Sequence, residues 1–195
     1  MASGESDTVA ETCVFCLIAN NQDRETEIIS ENKWMVCFRD IYPAAPHHYL
    51  VVPRQHIHSY LSMDSGHIGF IERMAEMGRN VLRDQGITDM TDTRLGFHVP
   101  PYISVAHLHL HVLAPSSQIS DDMIYKFIPG TSSFIAEEDL CKELRKHSSP
   151  LRKAERHLKM IKERLLLYFY LFVVWFLWNT DYLRIQDAPR MHTVI

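Results

Sequence analysis

Residues 107–113 read HLHLHVL, so three histidines alternate with aliphatic residues in one short run. In a β-strand, residues two positions apart point to the same face, whereas in an α-helix they share no face. The alternation therefore predicts a strand that buries its aliphatic residues in a core. Its other face presents His107, His109 and His111 to a polar site.

Two kinds of chemistry would use such a row of imidazoles. Neighbouring histidines on a strand are about 7 Å apart and could share a zinc ion, but the outer pair, about 13 Å apart, is too far apart for a common shell with the middle ring. A neutral imidazole is both a nucleophile and a proton carrier near pH 7. The row favours acid–base and nucleophilic catalysis, with three structural histidines as the plainer alternative.

The composition limits the class of protein and its partners. A chain of 195 residues with 46% apolar content suits one globular domain with an appendage. The net charge of −4 argues against nucleic acid as the main partner. The four cysteines are too few for a disulfide framework, and the polar first residues do not resemble a secretory signal. We therefore expect a cytoplasmic location, with the nucleus as a further one.

The apolar pattern predicts three segments along the chain. Residues 1–11 are small, polar and acidic and are predicted to be a disordered leader. Residues 12–146 are predicted to be the folded domain, and residues 147–195 a basic and then apolar tail.

Within the folded domain, period-two runs predict strands and helical spacing predicts helices. The predicted strands are a hairpin over 27–39, a strand over 49–53, a strand over 94–99 and the histidine strand, and the predicted helices span 65–85 and 136–147. The connections are mostly short. We expect an α+β fold with an antiparallel sheet of about five strands, a long helix and a short helix.

The tail contains fourteen consecutive apolar residues at 165–178. A helix that crosses a bilayer needs about 20 residues, so this run is short for one. A basic stretch precedes it and aromatic residues flank it, as at a membrane interface. A membrane tail anchor, a helix buried on a partner and a segment without a selected fold all remain open.

Other polar residues are candidates for the same site. Asp40 follows a predicted strand and could accept two hydrogen bonds from a ribose, although a turn-capping role is equally open. His48 adds an imidazole at the start of a strand. Ser104 lies three residues before the histidine row and offers a hydroxyl for a phosphate, or is simply a turn residue.

Three sequence blocks resemble one family. HLHLHVL matches the motif His-φ-His-φ-His-φ-φ, where φ is apolar, of the histidine triad (HIT) superfamily. FRDIYPAAPHHYLVVPRQHI at 38–57 and CVFCLIA at 13–19 are similar to the corresponding blocks of its Hint branch. The resemblance covers residues 12–146 and implies a HIT-like fold.

The resemblance implies a hydrolase that cleaves the P–N bond of adenosine 5′-phosphoramidates to AMP through a covalent nucleotidyl-histidine, with acyl-adenylates as a further class of substrate. By resemblance, His109 is the nucleophile, and the backbone carbonyl of His107 orients it. His111 and His48 bind the phosphate and support proton transfer, and Ser104 lies near the leaving group. These roles suit an amine leaving group, which must be protonated as it departs.

The resemblance also implies a purine nucleotide pocket formed by Phe38, Asp40 and Ile41, with Asp40 on the ribose. His98 stands where many Hint proteins have Asn, and the PPYI loop at 100–103 replaces a longer glycine-rich loop. These departures keep two alternatives open: a nucleotide-binding interaction protein with weak turnover, and a dinucleoside polyphosphate hydrolase.

Catalysis of this kind requires no cofactor, but some relatives hold a structural zinc. The matching positions here are Cys13, Cys16, His56 and His107, which would form a closed Cys₂His₂ site. A pair of reduced, partly buried thiols is the alternative. The resemblance further implies a homodimer through the long helix and a sheet edge.

Overall fold

The computed structural model describes residues 13–147 together with residues 161–162 and 165–166. The predicted leader at 1–11 and nearly all of the tail at 147–195 lie outside the described residues. The chain divides into two units, Met1–Ser148 and Ser149–Ile195. In the second unit, the four described residues are helical.

Within residues 13–147, the first unit is built on one antiparallel sheet with three α-helices. The strands are β1 (Ile28–Glu31), β2 (Met35–Arg39), β3 (His47–Pro53), β4 (Arg94–His98), β5 (Leu110–Ala114) and β6 (Phe134–Ala136). The helices are α1 (Val14–Ala19), α2 (Ile68–Asp84) and α3 (Glu137–His147). The strand order is β1-β2-β3-β5-β4-β6, and each neighbouring pair is antiparallel.

The predicted hairpin over 27–39 is confirmed, and a side chain fixes its turn. The Asn32 Oδ1 atom accepts hydrogen bonds from the backbone N–H groups of Trp34, at 2.8 Å, and Met35, at 3.0 Å. Asparagine side chains commonly close turns in this way. The turn determines which residues of β1 and β2 face each other.

The predicted long helix is also confirmed, as α2. Its buried face includes Met74 and Val81 and packs on the sheet over Val112. Gly78 allows this close approach, because a Cβ atom there would lie 2.5 Å from the Val112 side chain. Gly86, with a φ of 84°, follows the helix end in the left-handed conformation typical of a helix C-terminus.

The histidine strand is shorter than predicted. Strand β5 begins at Leu110, because the backbone before it bonds elsewhere: the Leu108 N–H donates to the Ile57 carbonyl, and the His107 carbonyl accepts a side-chain hydrogen bond. The alternation nevertheless continues through this segment, since Leu108 is buried in the same core as Leu110.

The sequence pattern predicted one strand and one α-helix fewer than the described residues contain. Residues 13–147 form six strands rather than about five, because β6 has only three residues and is too short for a period-two pattern. It pairs along the outer edge of β4. The additional helix, α1, has six residues, fewer than the span over which helical periodicity becomes informative.

The two faces of the sheet have different coverings. The helices α2 and α3 pack over the core that contains Tyr49, Val51 and Leu110. On the opposite face, α1 packs against a cluster that includes Phe38 and Leu50. Because residues alternate along β3, His48 shares the face of Leu50, and its histidine partners lie there too.

Within the described residues, none of the helices has both the length and the apolar character needed to cross a membrane. The apolar run at 165–178, for which the sequence leaves a membrane anchor open, lies outside the described residues except for Leu165 and Leu166.

Candidate active site

His109 is held in one tautomer by the backbone. Its Nδ1 atom lies 2.6 Å from the carbonyl oxygen of His107. A carbonyl oxygen only accepts hydrogen bonds, so Nδ1 carries the proton and Nε2 keeps its lone pair. The ring is 5% exposed. The lone pair on Nε2 makes this nitrogen a nucleophile.

A second chain of hydrogen bonds fixes the protons on His48 and His111. The Ala44 backbone N–H donates to Nδ1 of His48 at 3.0 Å, so Nε2 of His48 carries the proton. That atom lies 2.9 Å from Nδ1 of His111 and donates to it. His111 therefore has its own proton on Nε2.

The Nε2–H group of His111 is buried and has no hydrogen-bond partner among the described residues. The ring is centred 4.9 Å from the ring of His109. A buried donor without an acceptor is costly, and such groups in native proteins commonly mark a functional site. An anionic oxygen of a substrate would satisfy it next to the nucleophile.

A fourth histidine, His98 on β4, joins this group. Its ring centre lies 4.5 Å from that of His111. Its Nδ1 atom lies 3.3 Å from the Ser133 carbonyl and must donate to it, which leaves Nε2 without a proton. His98 is only half-buried, whereas His48, His109 and His111 are buried. It is therefore the ring of the four with the greatest access to solvent.

Phe127 is a site residue that the sequence did not reveal. It is 2% exposed, and its ring centre lies between 5.1 and 5.4 Å from those of His48, His98 and His111. It removes water from the histidine cluster. It is the last residue of a short 3₁₀-helix, Ile124–Phe127, between β5 and β6, where no periodicity or motif marks a buried aromatic residue.

Burial sets the charge of these rings. It lowers the pKa of His48 to about 3, that of His109 to about 4, and that of His111 well below the usual 6.5. The proximity of other histidines lowers each pKa further. The rings are therefore neutral near pH 7, which is the state in which His109 is nucleophilic.

Asp40 lies at the edge of the cluster. Its Oδ2 atom is 3.4 Å from Nε2 of His48, and its other oxygen accepts the Tyr42 backbone N–H at 2.8 Å. Burial raises the pKa of the Asp40 carboxyl above its usual value. Burial keeps His48 neutral and its single N–H proton is donated to His111, so the approach of Asp40 to His48 is a close contact rather than an ion pair.

The other predicted pocket residues lie in different environments. Phe38 is buried, with its ring centre 5.7 Å from that of Phe15 on α1. Ile41 is 83% exposed, next to Asp40 in the loop between β2 and β3. Ser104 is exposed, and its hydroxyl makes no hydrogen bond within residues 13–147. The structure thus shows no hydrogen bond between Ser104 and the histidines within residues 13–147.

The four predicted metal ligands are brought together on the other side of His109. The ligand atoms of Cys13, Cys16, His56 and His107 all lie within 4.8 Å of one another. Nδ1 of His107 is 3.4 Å from both sulfur atoms, and Nδ1 of His56 is 3.2 Å from the sulfur of Cys16. This cluster joins α1 to the loop after β3 and to the start of the histidine row.

The cluster suits zinc in its chemistry and spacing. With bond lengths of about 2.0–2.3 Å, tetrahedral zinc separates its ligand atoms by roughly 3.5 Å. Nε2 of His107 donates to the Pro53 carbonyl at 2.9 Å, so Nδ1 offers its lone pair towards the cysteines. Burial raises the pKa of the Cys16 thiol to about 11, so this thiol stays protonated unless a cation is bound beside it.

Comparisons with known proteins identify the family. The family model described as "Scavenger mRNA decapping enzyme C-term binding" matches residues 12–124. Three curated relatives share the name "Adenosine 5'-monophosphoramidase HINT3". The Danio rerio protein is 55% identical over 69% of this chain and 85% of its own length. The Xenopus tropicalis protein is 43% identical, over 68% and 87%.

The third of these relatives, from Mus musculus, is 42% identical over 74% of this chain and 88% of its own length. Each match extends over most of the relative. The resemblance drawn from the histidine row and its upstream blocks is therefore confirmed: this chain belongs to the histidine triad superfamily, in its Hint branch.

Proposed function

We propose that this protein is an adenosine 5′-monophosphoramidase. It hydrolyses the P–N bond of adenosine 5′-phosphoramidates to AMP through a covalent intermediate on His109. The observation that carries the proposal is the buried Nε2–H of His111, which has no partner among the described residues, beside the neutral His109 ring with its free Nε2 lone pair. The curated relatives described above carry the name of this activity.

In the first step, the lone pair on Nε2 of His109 attacks the α-phosphorus, and the P–N bond breaks. The amine takes up a proton as it departs. The His109 ring becomes cationic when its Nε2 bonds to phosphorus, and the carbonyl of His107 stabilises this charge by accepting the Nδ1–H. In the second step, water attacks the phosphorus, AMP is released and His109 is restored.

His111 binds the phosphate in both steps. Its Nε2–H donates to a non-bridging oxygen and stabilises the charge that develops there. His48 holds that proton in place, because its own Nε2–H occupies Nδ1 of His111. Phe127 packs on both rings and keeps water out, which strengthens the hydrogen bond to the phosphate.

His98 is our candidate for the proton carrier. Its protonated form gives a proton to the amine, and its neutral Nε2 recovers one from the attacking water. Because Nδ1 stays bonded to Ser133, only Nε2 changes protonation. We place the ribose on Asp40, with Phe38 and Ile41 beside the base. The Ser104 loop would then carry its hydroxyl towards the leaving group.

We also propose that Cys13, Cys16, His56 and His107 hold a structural zinc ion. The cluster lies next to the nucleophile without including it, so the ion would stabilise the fold and take no part in the chemical steps. It would fix α1 and the start of the histidine row. The side chain of His107 would bind the metal while its carbonyl orients His109.

For assembly and location, we propose a homodimer in the cytoplasm, and also in the nucleus. The outer edge of β4 is paired with β6 of the same chain, so it is not available for a partner strand. A dimer would therefore use α2 or a different edge. Light scattering coupled to gel filtration of the full chain measures this state directly.

Substrate preference tests the proposed reaction. We expect AMP release from adenosine 5′-phosphoramidate to be faster than cleavage of diadenosine tetraphosphate at equal concentrations. Faster cleavage of the dinucleotide would assign the chain to the polyphosphate hydrolases. Binding of AMP without release from either substrate would favour a nucleotide-binding interaction protein.

A further inference from the structure

One cavity has His56 of the Cys₂His₂ cluster in its lining but none of the rings of His48, His98, His109 and His111. It has a volume of about 630 Å³ and is bordered by the turn before β2, the loop after β3 and the first half of α2. Met35 pairs with Pro53 at this end of the two strands, whereas Arg39 pairs with Tyr49 near the histidines. The cavity, which we call the Trp34 cavity, is therefore at the opposite end of β2 and β3.

Three cationic side chains line the Trp34 cavity. Its lining contains Lys33, Arg54 and Arg73 but no carboxylate. Arg54 is already bonded to Glu31, whereas neither Lys33 nor Arg73 forms an ion pair with any residue in 13–147. Two cations without counter-ions at one cavity favour an anionic ligand.

An exposed aromatic ring lies near both of these cations. Trp34 is 49% exposed, the Lys33 ammonium is 4.2 Å from its ring centre and the Arg73 guanidinium carbon is 5.8 Å from it. The two positive groups are thus within about 10 Å of each other, because both lie near one ring. The Trp34 backbone is fixed through Asn32 and Arg54, so the ring is attached to a rigid turn.

We propose that the Trp34 cavity binds a nucleoside diphosphate at a site separate from the histidine cluster. The base would stack on Trp34, and the phosphates would bridge Lys33 and Arg73. Base–aromatic stacking and charge-assisted hydrogen bonds to phosphate are each strong enough to contribute to specific binding. The volume lies within the range of about 300–1,000 Å³ typical of small-molecule sites.

Calorimetric titration of the full chain with ADP tests this site. The double variant Lys33→Glu, Arg73→Glu should lose one class of ADP site, with an affinity at least about tenfold weaker, while AMP release from adenosine 5′-phosphoramidate is unchanged. The matched control is Arg24→Glu, Arg83→Glu, which makes the same charge change at exposed positions outside the cavity lining. It should bind ADP as the unaltered chain does.

A second variant distinguishes binding of the base from binding of the phosphates. Trp34→Leu should weaken the binding of ADP but leave the binding of pyrophosphate unchanged, because it removes the stacking surface and keeps the cations. Equal ADP isotherms for the Lys33/Arg73 variant and its control would overturn the proposal. The site is measured as a difference between variants, so this result does not depend on whether the histidine cluster is a phosphoramidase.

Discussion

The Nε2 atom of His48 lies 2.9 Å from the Nδ1 atom of His111, and this contact places the His111 proton on the nitrogen that faces the site. The backbone N–H of Ala44 determines this arrangement, because it donates to Nδ1 of His48 and so leaves the His48 proton on Nε2. A backbone N–H cannot change its role from donor to acceptor. The tautomer of His111, for which we propose a phosphate-binding role, is thus determined by the loop before β3.

Replacement of His48 by Ala should slow AMP release by about ten- to a hundredfold, because His111 is then free to adopt the other tautomer. The same change leaves the buried Ala44 N–H without an acceptor, which should lower the free energy of unfolding by roughly 1–3 kcal/mol. Steady-state kinetics and urea unfolding measure the two effects.

The control is His47→Ala at the neighbouring position. His47 is half-buried and bonds to the Tyr49 hydroxyl at 3.1 Å, outside the histidine cluster. A loss of activity in His47→Ala equal to that in His48→Ala would contradict the tautomer argument.

His98→Asn should lower kcat by at least about tenfold with a smaller change in KM. An Asn amide can still donate to the Ser133 carbonyl, but it cannot carry a proton, so position is kept and proton transfer is lost. The pH profile of kcat should also lose the titration that belongs to this ring. Unchanged kcat and an unchanged profile would show that His98 is only structural.

Acid should destabilise the fold through the buried histidines. Burial lowers the pKa of His48 from 6.5 to about 3 in the folded chain, so the unfolded chain binds more protons between these values. The contribution of His48 to the free energy of unfolding is therefore fully present above pH 6.5 and is lost as the pH falls towards 3. Between pH 7 and pH 5 the loss is roughly 2 kcal/mol for such a ring.

Urea unfolding at pH 7 and pH 5 measures this difference. His111, whose pKa is also strongly lowered by burial, adds to it in the same direction. The dependence on pH should be weaker in His48→Gln. A free energy of unfolding that is the same at both pH values would exclude the neutral, buried state of these rings.

Zinc analysis tests the Cys₂His₂ cluster. We expect about one zinc ion per chain by elemental mass spectrometry, since four ligands complete a structural site. Cys16→Ala should lose the ion and melt at a lower temperature. The control is Cys141→Ala, because Cys141 is buried in α3 and outside the cluster. A chain purified with zinc present that contains none would rule out the site.

The histidine row predicted its local structure well, because a strict alternation of polar and apolar residues is compatible with a β-strand and not with an α-helix. It correctly predicted that the aliphatic residues Leu108 and Leu110 enter the main core. The hairpin and α2 were predictable for the same kind of reason, since each combines periodicity with a turn or end signal at Asn32 or Gly86. These signals act over short distances in the sequence.

Features that depend on distant contacts were not predictable from local pattern. Strand β6 exists because β4 offers it a free edge, and Phe127 is buried because three histidines from other strands surround it. Neither shows periodicity. The hydrogen bond from the Ala44 backbone N–H to His48 could not be predicted either, because every residue except proline has a backbone N–H and the sequence does not show where it donates.

The most direct test of the account is AMP release from adenosine 5′-phosphoramidate by the full chain and by its His109→Ala variant. We predict release by the unaltered chain, with an adenylylated protein trapped on rapid quenching. The variant should show neither, with release slower by at least about a thousandfold. Release at a comparable rate by His109→Ala would contradict the assignment of His109 as the nucleophile.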